Sequence, residues 1–109
     1  MAGRSNIAGN AIVFEALTNE NYDYWSSLVR NYLIGQGLWS FVTSMPEIGP
    51  GTRRATENWN RMNRRALHII QLACGPENIH RIINLQSARE AWNELSANYS
   101  SDLIIDIEE

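Results

Sequence analysis

A chain of 109 residues, 44% hydrophobic and 19% charged, carries enough apolar material for one folded domain and is too short for two. A net charge of −3 excludes the basic balance of a dedicated nucleic-acid binder, and the single cysteine, Cys74, excludes an internal disulfide framework. No stretch approaches the ~18 apolar residues that span a bilayer, and Met1 to Asn10 show no signal-peptide pattern, so a cytoplasmic protein with no membrane partner is expected.

Residues 1–13 are small and polar and predict a loose leader. Phe14 and Leu17 precede a first helix expected from Asn19 to Ile34. Thr18 is its predicted N-cap, because a threonine hydroxyl accepts a hydrogen bond from a free amide of the first turn. Tyr22, Trp25, Leu28, Val29, Tyr32 and Leu33 recur at helical spacing and predict one buried face. Gly35 and Gly37 supply the permissive backbone that ends such a helix. Leu38 to Val42 is too short for periodicity to decide; its place between two helices favours a short helix over a strand. Met45 to Thr52, with Pro46, Gly49, Pro50 and Gly51, reads as a loop.

The longest helix is expected from Arg53 to Cys74, with Trp59, Met62, Ala66, Ile69, Ile70 and Ala73 as its buried stripe. Pro76 disfavours helical geometry at Gly75 and so ends it. Pro76 then suits the first position of a short helix to Ile83, carrying Ile79, Ile82 and Ile83 inward. Ser87 and Glu90 form a capping-box pattern ahead of a last helix whose stripe is Ala88, Ala91, Trp92, Leu95 and Tyr99. Asp102 to Ile107 alternates weakly and predicts a short strand or extended tail. The sum is an all-α fold, a compact bundle of about five helices.

Chemistry is sparse. His68, His80 and Cys74 match no zinc spacing, and a closed structural site needs four ligands; His68, beside the apolar stripe, reads as a partly buried histidine. Cys74 sits at a helix C-terminus, where the dipole opposes a thiolate. No phosphate loop or supported carboxylate pair is present, so neither an enzyme, a cofactor nor a small-molecule substrate is expected. All nine basic residues are arginine. Arg54, Arg61 and Arg65, with Arg64 close by, fall on one side of the long helix opposite Trp59 and Ile70. They read first as the solvated outer face that every amphipathic helix has, and otherwise as a candidate partner-contact stripe for an acidic protein segment or, less readily, nucleic-acid phosphates.

The order of the anchors is more specific than their number. Phe14, Leu17, Asn21-Tyr22 and Trp25 are followed by Leu33, Gly37-Leu38-Trp39, Trp59, Ile69, Ala91-Trp92, Leu95 and Tyr99. This series resembles the N-terminal Gag region of Copia-type LTR retrotransposons, widespread in plant genomes. The resemblance covers Phe14 to Tyr99 and implies a capsid-like helical domain over 14–100 that self-associates. It also implies that nucleic-acid binding belongs to a zinc knuckle elsewhere in the polyprotein, so this domain should bind nucleic acid weakly. The tail over 101–109, acidic and branched-aliphatic, departs from the family and reads as the start of a continuation. It looks more like host proteins in which a Gag-derived domain precedes another module, such as ankyrin repeats. The expected partner is therefore a second copy or, in a domesticated adaptor, another protein segment.

Overall fold

The computed structural model describes residues 13–44 and 52–99. Five helices occur among them: α1 (Tyr22–Gly35), α2 (Ser40–Thr43), α3 (Arg53–Cys74), α4 (Ile79–Ile82) and α5 (Ala88–Tyr99), with no strand. The all-α expectation holds, and Leu38 to Val42 leads into a helix rather than a strand. The tail expected as strand or extended chain, the leader before Val13 and most of the 45–52 loop lie outside the described residues.

The long helix organises the rest. α3 packs against each of the other four helices, and α5 packs against α2, α3 and α4. Its expected limits match, and Thr52, assigned to the loop, is its N-cap: the side chain accepts from the Ala55 amide at 3.0 Å. Toward the core α3 turns Ala66, Leu67, Ile70, Ala73 and Cys74, which meet Trp25, Val29 and Leu33 from α1 and Ala88, Ala91 and Leu95 from α5. Each fully buried leucine or isoleucine here contributes about 1.5–3 kcal/mol.

Three local expectations are corrected. Thr18 caps a turn, not the helix: its hydroxyl accepts from the Glu20 amide at 3.2 Å, and α1 starts after Asn21. Asn21 is committed backward, accepting from the Thr18 amide at 2.8 Å and donating to the Ala16 carbonyl at 2.9 Å. The second correction concerns α4, which begins at Ile79 rather than Pro76, because residues 76–78 form a turn held by the Gly75 carbonyl. With so short a helix Ile82 alone is fully buried, Ile79 is half-buried, and Ile83 points out. Third, Leu28 falls on the outer side of α1 and is exposed.

The connection after α3 is set by close approach. Gly75 has φ +91°, and a Cβ there would lie 2.5 Å from the Cβ of Ala16. Only glycine lets the 13–17 segment cross the end of α3 this closely. Leu17 donates its amide to the Cys74 carbonyl at 3.3 Å, and the Trp25 indole donates to the Ala73 carbonyl at 2.9 Å. Asn78, buried, donates to the carbonyls of both Cys74 and Leu17 at 3.0 Å and accepts from the Tyr99 hydroxyl. A second buried asparagine, Asn63, donates to the Gln86 carbonyl and accepts from the Ala88 amide, each at 2.9 Å, fixing the start of α5 on α3. Ser87 completes that start by accepting from the Glu90 amide at 3.1 Å.

Replacing Asn78 by alanine removes three hydrogen bonds and takes the partner from the Leu17 carbonyl and the Tyr99 hydroxyl, so Asn78→Ala should cost about 2–4 kcal/mol, while exposed Asn84→Ala should stay within about 0.5 kcal/mol. Urea denaturation of both variants checks this. Equal midpoints would show that the Asn78 network does not hold the domain together.

Candidate interaction surfaces

The aromatic residues sort into a packed group and a peripheral pair. The rings of Trp25 and Trp92 stack at 5.7 Å, and Trp39 meets Trp92 edge-on at 5.2 Å. Tyr22 stacks on Tyr99 at 6.5 Å, and its hydroxyl shares a 2.6 Å hydrogen bond with Ser96. Phe14 and Tyr32 meet edge-on at 5.7 Å. Of the anchor series, Leu17, Trp25, Leu33, Leu38, Ala91 and Leu95 are buried, and Phe14, Tyr22, Trp39, Ile69, Trp92 and Tyr99 pack on that core half-buried. Trp59 is the exception: it contacts Phe41 at 5.7 Å, at the edge of the bundle and outside the central cluster. Trp59 also lines an open groove of about 390 Å³ between α3 and the start of α5, together with Asn60, Asn63, Ser87 and Glu90.

Arg54, Arg61 and Arg65 are exposed and fall along one line of α3, on the side away from Ala66 and Ile70. Between Arg53 and Arg65 five arginines stand against one carboxylate, Glu57, so a chain of net charge −3 carries a local cationic face. Arg61 donates to Asn58 at 3.0 Å within its own helix. With Arg64, Arg65 and His68 it walls an open groove of about 580 Å³, closed opposite by Ile83, Leu85 and Gln86 from the α4–α5 connection. Each planar guanidinium fork suits a carboxylate or phosphate. The structure brings this stripe together on one surface.

The histidines and cysteine form no reactive set. His68 is exposed rather than partly buried, because it lies on the arginine side of α3 and not on the core side. His80 is exposed on α4. Cys74 is buried, and desolvation pushes its thiol from 9.0 up to about 11, against a smaller lowering by a backbone hydrogen bond. Among the described residues no group of three or more His, Cys, Asp and Glu is placed to hold a metal, and no helix is long and apolar enough to cross a membrane.

One surface escaped sequence reasoning. Tyr24, Leu28 and Ile34 are all exposed on the outer side of α1. The helical period puts Tyr24 and Ile34 on the side away from Trp25, Val29 and Leu33 and Leu28 at the edge of the apolar arc, so a stripe drawn from spacing alone takes Leu28 in.

A family profile described as a domain of unknown function, DUF4219, matches residues 17–43, which hold α1 and α2. The chain is 30% identical over 83 residues to a "Retrovirus-related Pol polyprotein from transposon TNT 1-94" of Nicotiana tabacum. That alignment covers 76% of this chain and 6% of the polyprotein, so the chain spans a small part of its relative's length. No solved structure matches.

Two outcomes follow from the surface. The triple variant Arg54→Gln, Arg61→Gln, Arg65→Gln should keep the wild-type melting temperature within about 2 °C, since exposed side chains away from the core contribute little; a loss of cooperative melting would show that the stripe is structural. Because the folded Cys74 thiol holds its proton to a higher pH than the unfolded one, stability should be full below pH 9.0 and fall as pH rises toward about 11. Cys74→Ala should lack that part of the decline, as read from denaturation midpoints at pH 8 and pH 10.5.

Proposed function

We propose, taking as premise that the chain is similar to the Gag region of a Copia-type retrotransposon polyprotein, that this domain is a non-catalytic self-association unit. The observation that carries the reading is the extent of that similarity: it takes in most of the helical domain and falls in the Gag-like part of the polyprotein, not its enzymatic region. What in the structure supports it is the outer surface, which carries large apolar side chains on α1 and a cationic face on α3.

The partner is a second copy of the chain, in the cytoplasm, through contacts that are individually weak. Many weak contacts repeated across an assembly reach high avidity without a tight pairwise interface. The arginine stripe is long enough to meet acidic protein segments, but the acidic net charge keeps nucleic-acid binding weak at physiological salt.

Sedimentation equilibrium of the full chain from micromolar to millimolar concentration tests this. The expected result is reversible association with a dissociation constant of roughly 10 μM to 1 mM, accompanied by RNA binding that is lost at physiological salt. A chain that stays monomeric at about 1 mM removes the self-association reading.

A further inference from the structure

We infer that the outer face of α1 is where this chain pairs with a second copy of itself, antiparallel about a two-fold axis close to Ser27. The inference rests on the self-association reading and assigns its surface and symmetry.

The face is defined by what α1 buries. Trp25, Val29 and Leu33 point to the core, so the 100° step per residue sets Tyr24, Ser27, Asn31 and Ile34 on the opposite side, with Leu28 at one edge. Tyr24 is 60% exposed, Ile34 52% and Leu28 42%. Tyr24 and Leu28, one turn apart, form an exposed apolar pair, with Ile34 further along the same helix, whereas the other exposed large apolar residues, Val13, Leu72 and Ile83, stand on separate segments.

The charges identify the occupant. Asp23 and Arg30 are both exposed and lie seven residues, or two turns, apart on the edge of the face opposite Leu28. Neither side chain has an ion-pair or hydrogen-bond partner among the described residues; the Ser26 hydroxyl bonds to the Asp23 carbonyl, not to its carboxylate. Antiparallel pairing about a two-fold axis brings like edges together with opposite polarity. Each Asp23 then faces the Arg30 of the second copy, and the pair forms twice. Parallel pairing would set this charged edge against the Leu28 edge and leave the charges apart.

The midpoint of positions 23 and 30 falls between Ser26 and Ser27. Ser27 therefore sits at the crossing, where a small side chain lets helix axes approach to about 8–10 Å. At that spacing Tyr24 of each copy covers Leu28 of the other. One helix of 14 residues makes a small interface, which matches weak, reversible pairing.

The full chain tests this by charge exchange. Asp23→Arg alone and Arg30→Asp alone should each weaken association about tenfold, because each homodimer then holds two like-charge contacts. Mixed in equal amounts, the two variants should recover wild-type association, since both ion pairs re-form in the heterodimer. Leu28→Glu should abolish association while circular dichroism retains the wild-type helix signal. If the wild type associates but the mixture does no better than either variant alone, or Leu28→Glu associates unchanged, the α1 assignment falls and self-association stands. A wild type monomeric at about 1 mM overturns both.

Discussion

The C-terminus of α3 is the point on which the other elements converge. A helix end leaves its last carbonyls without partners, and burying them unpaired is costly. Here three separate elements supply the missing donors: the Trp25 indole from α1 takes the Ala73 carbonyl, and the Leu17 amide and Asn78 side chain take that of Cys74. The end of one helix thus fixes the angle of a second, the course of the N-terminal segment and the turn that leads to α4. Gly75 makes the convergence sterically possible, since any side chain there would meet Ala16.

Apolar burial supplies the driving force, but it is poorly directional. What makes the arrangement unique is a small number of buried amides. Asn78 ties the α3 end to Leu17 and, through the Tyr99 hydroxyl, to the last turn of α5. Asn63 holds the first turn of α5 against the middle of α3. Between these two pins the Trp25–Trp92–Trp39 cluster fills the space where α1, α2 and α5 meet. A half-buried tryptophan contributes through its ring contacts even where its edge meets water.

The fold class and most helix limits were legible because they depend on local period and punctuation. α3 matched from Arg53 to Cys74, and the serine half of the Ser87–Glu90 capping box formed, Ser87 accepting from the Glu90 amide. What could not be read depended on distant partners. Thr18 and Asn21 are both good caps, and only the crossing of Ala16 over Gly75 decides that they shape a turn first. Pro76 suits a helix start, yet the Asn78 side chain, drawn back to Cys74, delays it to Ile79. Asn63 and Asn78 gave no signal, since an asparagine in sequence reads as surface until its partners are known. The arginine line was legible from spacing alone, because it lies on one helix; the α1 face was not, because Leu28 sits at the border of two arcs.

The surface that remains is partitioned by charge. A contact between identical copies about a two-fold axis must be complementary to itself. The α3 face fails that condition: five arginines against Glu57 would repel their own image, so it can face only solvent or something acidic. The α1 face meets it, with one acid and one base placed so that a two-fold rotation exchanges them and apolar residues between. The physics that makes α3 amphipathic around the core therefore also makes its outer side a poor match for its own two-fold image. Of these two faces, the one that bears α1 is electrically neutral, and a second copy can settle there without opposing charge.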